Sequence, residues 1–290
     1  MPVTALVSAK SSGVTTSALA LTLASGRPSL LAECDPAGGT IRAGLLEGEA
    51  GAGYGLYHLA AAERTSQEAL AQAFASHLWD MDEAGHRKLL LGLTDPAQAA
   101  SLSRTWPSLS QMLHVLAEAG LDVVIDAGRI AFNAGELHPT LTPAPLIHQA
   151  DLVLLVVRGT EQSLTLARHI IKPLRNELTD RGNGPGALGL LLIEDGPNRA
   201  HQVAEALETP VLAALPHDPA TAAYLTNGGR QPRGYSRSPL LLHARTATEQ
   251  LEAVASRRQI QQQYPPQKTS PQLAGVLHRL NAKRERGRRV

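Results

Sequence analysis

The chain has 290 residues, enough for one large α/β domain or two smaller ones. Hydrophobic residues make up 43 % but aromatic residues only 3 %, which argues against an aromatic platform for single-stranded nucleic acid. The single cysteine, Cys34, excludes an internal disulfide framework and suits a reducing compartment. No secretory signal pattern and no run of about 18 apolar residues is present, so we expect a cytoplasmic protein.

The charge is unevenly distributed along the chain. The net charge is +1, but residues 256–290 carry nine Lys or Arg and one acidic residue, a net +8, which leaves −7 for the preceding residues. A basic tail on an acidic body predicts that the tail meets anionic partners.

Short apolar runs alternate with helical patterns, which predicts an α/β fold with a doubly wound, mainly parallel sheet flanked by helices. We interpret residues 1–260 as one domain and residues 261–290 as a linker and basic tail. The predicted strands are 4–7, 29–32, 88–91, 122–125, 152–157, 188–193 and 211–214. The predicted helices are 15–24, 66–77, 108–119, 161–178, 199–207, 220–225 and 240–258.

The first strand, loop and helix have the setting of a phosphate-binding loop. The usual pattern is G-x-x-x-x-G-K-[ST], and residues 8–15 read Ser-Ala-Lys-Ser-Ser-Gly-Val-Thr in its place. Gly13 allows a close backbone approach to a ligand, and the amides that open the next helix point towards an anion there. Val14 stands where the lysine is expected. The predicted nucleotide-binding residues are Lys10, Ser11, Ser12, Gly13, Val14, Thr15 and Thr16.

Two acidic residues accompany this loop. Asp35 follows the second predicted strand, and Asp126 directly follows the predicted strand at 122–125. Ligands of open α/β sheets lie beyond the carboxyl ends of the strands. We therefore expect both carboxyl groups to lie near the loop.

With these motifs in order, residues 3–230 resemble the ParA/MinD group of deviant P-loop ATPases, which includes CpaE-like members linked to pilus and secretion assembly. Residues 30–39 resemble the second strand and first switch of that family, and residues 123–128 resemble its second switch. Residues 150–157 and 209–218 resemble its later strands.

The resemblance implies an ATP- and Mg-dependent switch that positions or partitions a larger assembly, such as a pilus, a secretion apparatus or a chromosome. It implies a nucleotide-dependent homodimer that recruits protein partners. Asp35 and Asp126 would be the catalytic residues. Thr15 and Asp35 would hold Mg²⁺ through the nucleotide.

The sequence departs from the family at both of its characteristic lysines. Val14 replaces the lysine of the ordinary P-loop, Ala9 replaces the signature lysine, and Lys10 comes one residue late for that second role. Phosphoryl transfer depends mostly on positioning and electrostatics, so the loss of this charge predicts weak or no ATP hydrolysis.

The alternative is a pseudo-ATPase scaffold that binds protein partners without a nucleotide cycle. A metabolic ligase or kinase of related fold has no substrate-binding constellation to support it. In the tail, apolar residues at 273, 276, 277 and 280 precede a cluster of arginines. This segment can pack on the body, dock on a partner, or contact nucleic acid or an anionic membrane, which would make the protein peripheral at that membrane.

Overall fold

The computed structural model describes residues 2–263, and they contain an eight-stranded sheet. The order of its strands is β10-β9-β8-β1-β5-β2-β4-β3, and all neighbours are parallel except β3 and β4. Residues 132–137 form a small separate hairpin, β6-β7. The strands are β1 (Val3–Ser8), β2 (Ser29–Glu33), β3 (Leu78–Asp80), β4 (Arg87–Leu90), β5 (Asp122–Arg129), β6 (Phe132–Asn133), β7 (Glu136–Leu137), β8 (Leu152–Arg158), β9 (Leu188–Glu194) and β10 (Val211–Pro216).

Helices cover both faces of the sheet. They are α1 (Val14–Ala24), α2 (Leu56–Glu63), α3 (Gln67–Ser76), α4 (Thr105–Glu118), α5 (Ala144–Gln149), α6 (Glu161–Arg181), α7 (Ala200–Ala206), α8 (Pro219–Asn227) and α9 (Pro239–Gln263).

The apolar core is split into two layers by the sheet. Successive side chains of a strand point to opposite faces, and in β1 Val3, Ala5 and Val7 belong to one buried cluster while Leu6 belongs to the other. The first cluster takes side chains from α2 to α7, and the second from α1, α8 and α9. Central strands are thus apolar on both faces, which explains why they read as continuous apolar runs in the sequence.

The predicted fold class and its seven strands are confirmed. Five elements were not predicted: the edge strand β3, the two strands of the β6-β7 hairpin, the helix α2 and the short helix α5. Strand β3 has only three residues, none of them fully buried, so it carries no apolar run. Helix α5 has six residues, too few for a helical period to show.

The predicted division at residue 260 remains a prediction. The chain divides into a unit that ends at Ala255 and another that begins at Ser256. Of the linker and tail predicted for residues 261–290, residues 261–263 belong to α9 and the others lie outside the described residues. Within residues 2–263, no helix is long and apolar enough to cross a membrane.

The long loop after β2 is fastened to α8 by a backbone contact at Gly44. A Cβ added to Gly44 would lie 2.0 Å from the carbonyl oxygen of Thr226. Close by, the carboxyl group of Glu47 accepts a hydrogen bond from the amide of Gly229. Because Thr226 also borders the candidate site described below, this contact fixes one wall of it.

We expect Gly44→Ala to lower the free energy of unfolding by about 1–3 kcal/mol, because the added methyl group meets rigid backbone. Gly26→Ala is the matched control, since nothing lies within 4 Å of its Cβ position, and it should change stability by no more than about 0.5 kcal/mol. Urea denaturation of the two variants measures the difference. Equal stabilities would contradict the close packing of this loop on α8.

Candidate functional site

The loop between β1 and α1 has the backbone of an anion-binding turn. Gly13 precedes α1 with φ 93° and ψ 34°, a left-handed conformation that glycine adopts without strain. The amide of Ser17 donates to its carbonyl oxygen at 2.9 Å and so begins the helix. No side chain caps α1. Its first amides therefore remain available to a ligand, with the positive end of the helix dipole behind them.

Val14 brings no charge to this loop. Its side chain is only 6 % exposed and belongs to the apolar cluster that includes Leu6 and Ile193. Val14 therefore helps to anchor α1 in the core.

Asp35 lies against the backbone of Gly128 at the carboxyl ends of β2 and β5. Its Oδ1 accepts a hydrogen bond from the amide of Ala37 at 2.8 Å. A Cβ added to Gly128 would lie 2.0 Å from the Asp35 Cγ, so only glycine leaves room for the carboxyl group. Burial raises the pKa of Asp35, while the Ala37 amide and the positive charge of Arg129 oppose that rise.

Asp126 is fully buried close to the loop. Its Oδ1 accepts a hydrogen bond from the amide of Gly128 at 3.0 Å, whereas its Oδ2 has no hydrogen-bond partner among the described residues. Burial raises its pKa to about 7, and the neighbouring carboxylates of Glu33 and Asp35 add to the rise. The Thr15 hydroxyl opposes it, although its geometry falls short of a well-formed hydrogen bond to Oδ2.

Glu33 is a third buried carboxyl group, which the sequence analysis missed. It accepts hydrogen bonds from the amides of Thr40 at 2.7 Å, Ile41 at 3.0 Å and Gly92 at 2.9 Å. Burial raises its pKa, and these amides and Arg42 oppose the rise. The signal in the sequence was a lone acidic residue that ends an apolar strand.

An open cleft of about 510 Å³ lies over the loop, within the usual volume range of ligand sites. The structure places most of the predicted loop residues here, but Lys10 is exposed and does not line the cleft. Arg129, which the sequence analysis did not single out, does line it. The cleft is bordered by residues 11–16 and by Ser8, Asp35, Gly128, Arg129 and Thr226, among others.

A second, smaller cavity of about 70 Å³ lies on the other side of Gly13, near the ends of β8, β9 and β10. The guanidinium of Arg158 pairs with Asp195 at 2.5 Å beside it, and His217 Nδ1 lies 3.6 Å from the same carboxyl group. Asn198, which follows β9, donates to the carbonyl oxygen of Gly159 at 3.1 Å and to Glu161 at 3.0 Å.

The donor set fits the predicted magnesium ion only with help from other ligands. Hydroxyl and carboxylate oxygens such as those of Thr15, Asp35 and Asp126 are what Mg²⁺ prefers, and the unpartnered Oδ2 of Asp126 is an acceptor without a donor. In residues 2–263, however, no three His, Cys, Asp or Glu side chains are arranged to hold a metal alone. Such a site would need phosphate oxygens and water, as is usual for Mg²⁺.

Comparison with solved structures identifies the fold class. The MinD cell division protein of Aquifex aeolicus aligns with a TM-score of 0.63 and 15 % identity over 87 % of this chain and 98 % of its own. The MinD septum site-determining protein of Pyrococcus horikoshii OT3, complexed with Mg-ADP, gives 0.62 and 16 % over 89 % and 99 %. A ParA family ATPase from Chlorobium tepidum TLS gives 0.58 and 13 % over 86 % and 97 %.

The fold is therefore that of the ParA/MinD P-loop nucleoside triphosphatases, as the sequence motifs predicted. Scans of protein-family models and of curated proteins give no match. At identities of 13–16 % these similarities establish the fold, and function has to be argued from the site itself.

The raised pKa of Asp126 predicts a pH dependence of stability. The folded state holds this proton up to about pH 7, whereas the unfolded chain releases it near 3.8. The stabilisation is complete below the unfolded pKa and is lost as the pH rises through the folded pKa. The free energy of unfolding should therefore fall between about pH 4 and about pH 7, by up to about 4 kcal/mol from this group.

Asp126→Asn, which mimics the protonated carboxyl group, should flatten this slope and stabilise the protein at pH 8 relative to the unaltered chain. Asp180→Asn, at an exposed position, is the control and should leave the slope intact. Urea denaturation at a series of pH values measures all three proteins. An unchanged slope in Asp126→Asn would show that this carboxyl group does not titrate as described.

Proposed function

We propose that this protein is a nucleotide-binding switch of the ParA/MinD type that positions or partitions a larger assembly, with weak or no ATP hydrolysis. The observation that carries the proposal is the open cleft over the uncapped N-terminus of α1. Ser8 also lines this cleft, and its hydroxyl is buried and has no hydrogen-bond partner among the described residues. A phosphate would supply acceptors to these donors.

The roles of the site residues follow from their placement. The amides of residues 11–16 would bind phosphate oxygens, and the Thr15 hydroxyl and the Asp35 carboxyl group face the same cleft. Bound with the nucleotide, Mg²⁺ would neutralise phosphate charge and lower the pKa of nearby carboxyl groups. Asp126 and Asp35 would then orient the Thr15 hydroxyl and the water molecules around the terminal phosphate.

Weak hydrolysis follows from the burial of Val14. A transferred phosphoryl group needs positive charge fixed beside it, and the position that normally supplies this charge is apolar and packed in the core. Binding depends less on that lysine, because backbone amides and the helix dipole remain. A switch that binds nucleotide and turns it over slowly is the consequence.

The finer parts of the proposal rest on similarity to the relatives. One aligned structure is a MinC:MinD complex, which supports protein partners for this chain as well. We also propose that the protein forms a nucleotide-dependent homodimer and serves a pilus or secretion apparatus, as in CpaE-like members. In the same proposal, the basic tail contacts an anionic membrane or nucleic acid.

A pseudo-ATPase scaffold is the second candidate, and a specific observation favours it. The smaller cavity beside Gly13, near the ends of β8, β9 and β10, is about 70 Å³, well below the usual size of a ligand site, and the Arg158–Asp195 ion pair lies beside it. If that side stays closed, the fold serves only to present surfaces to partners.

Thermal unfolding and solution mass with Mg-ATP, Mg-ADP and a non-hydrolysable ATP analogue distinguish the two candidates. A ligand at 100 times its Kd stabilises the native state by about 2.7 kcal/mol, which should raise Tm by about 5–10 °C. A rise with a shift to dimer mass supports the switch. No response at saturating nucleotide supports the scaffold.

Thr15→Ala should reduce this rise, because the hydroxyl faces the cleft and a neighbouring carboxyl group. The matched control is Thr179→Ala, an exposed threonine in α6. Both variants remove one hydroxyl group from a helix, and only the first should change the response to nucleotide. An equal response in the two variants would remove Thr15 from the proposed site.

A further inference from the structure

The terminal phosphates of a nucleotide carry several negative charges, and the position that normally neutralises them is Val14. The proposed cleft therefore needs a cation from elsewhere. Three carboxyl groups, those of Glu33, Asp35 and Asp126, lie together next to the loop. Their negative charge increases the need for a cation near the phosphates. Four cationic side chains lie close enough in the fold to be considered: Lys10, Arg42, Arg129 and Arg158.

Three of the four are poorly placed or already engaged. Lys10 is exposed and does not line the cleft. Arg42 donates to the carbonyl oxygens of Ala50, Gly51 and Tyr54, so its guanidinium is already hydrogen-bonded to the loop before α2. Arg158 is paired with Asp195 at 2.5 Å, beside the smaller cavity.

Arg129 is positioned by the sheet itself. Strand β5 continues for three residues beyond Asp126, and in its register Arg129 pairs with Ser8, the last residue of β1. The amide of Ile130 donates to the carbonyl oxygen of Ser8 at 2.9 Å and closes this pairing. The backbone of Arg129 is thereby fixed beside the start of the loop.

The side chain of Arg129 is exposed and lines the cleft. Within residues 2–263 no carboxyl group lies within salt-bridge distance of its guanidinium. Burial raises the pKa of Asp35, and the positive charge of Arg129 opposes this rise without forming an ion pair with it. A guanidinium offers five donors in a planar fork that matches two phosphate oxygens at once.

A second observation at the same place points to an anion. Ser8, the register partner of Arg129, is 1 % exposed and lines the cleft, and its buried hydroxyl has no hydrogen-bond partner among the described residues. Buried polar groups normally have a partner. The uncapped amides of α1 lie at the other side of the same cleft.

We propose that Arg129 binds the terminal phosphates of a nucleoside di- or triphosphate in this cleft and takes the place of the missing P-loop lysine. The inference rests on the proposed nucleotide-binding function. It assigns the phosphate-binding charge to β5, where strand pairing holds the backbone of Arg129.

The test is the affinity of the full chain for Mg-ATP and for inorganic tripolyphosphate, measured by titration calorimetry at one fixed salt concentration. Arg129→Gln should weaken both by about 10- to 100-fold, the value of a hydrogen-bonded charge. Arg129→Lys should recover part of the loss, because it restores charge without the planar fork. Arg168→Gln, an exposed arginine on α6, is the matched control.

Lys10→Gln tests the rival cation and should weaken binding by less than about fivefold, as expected for an exposed charge. Labelling of the unaltered protein with an arginine-specific dicarbonyl, followed by mass spectrometry, needs no variant. Tripolyphosphate should protect Arg129 and leave Arg168 reactive. This second measurement decides the question even if Arg129→Gln folds poorly.

The outcomes separate this inference from the function on which it rests. If the unaltered protein binds Mg-ATP and Arg129→Gln binds it equally well, the role of Arg129 is overturned and the switch survives. If tripolyphosphate binds through Arg129 but ATP does not bind, the anion site stands and the nucleotide switch fails. If neither ligand binds, both are overturned.

Discussion

The burial of carboxyl groups near the carboxyl ends of two adjacent strands is the constraint on which the candidate site depends. Glu33 of β2 and Asp126 of β5 are register partners, and both are almost completely removed from water. Burying a charged group without partners is costly, so each carboxyl group gathers backbone amides around it. Glu33 thereby fixes the loop at residues 40–41 and the turn at Gly92. Asp126 fixes the turn at Gly128.

These acids also decide what kind of ligand environment the cleft offers. Burial raises the pKa of Glu33 and of Asp126, and the carboxylates of Glu33 and Asp35 raise the pKa of Asp126 further, so their full ionisation together is unfavourable at neutral pH. A phosphate next to them would be repelled unless positive charge lay between. The uncapped end of α1 and the guanidinium of Arg129 lie on the cleft side of the acids. The site thus combines buried carboxyl groups with a positively charged cleft surface. This arrangement suits an anion that is accompanied by a cation.

This chain has the same fold as the aligned MinD and ParA structures, although the sequences differ widely. The aligned MinD and ParA structures share 13–16 % identity with this chain, yet nearly their whole lengths superpose. The sheet needs only small or apolar residues where β1 meets α1, and valine at position 14 meets that need better than a lysine. The fold alone therefore does not report on catalysis.

The sequence by itself determined the parallel sheet, the alternation of its central strands with helices, the loop at residues 8–15 and the placement of Asp35 and Asp126 near the carboxyl ends of β2 and β5. These features are local, because a strand buried on both faces is a continuous apolar run and a phosphate loop is one short segment. Only the tertiary structure brought Arg129 beside Ser8, gathered three amides on Glu33, paired Arg158 with Asp195 and left Lys10 outside the cleft. These arrangements depend on strand register and on contacts between residues far apart in the chain, which no local pattern encodes.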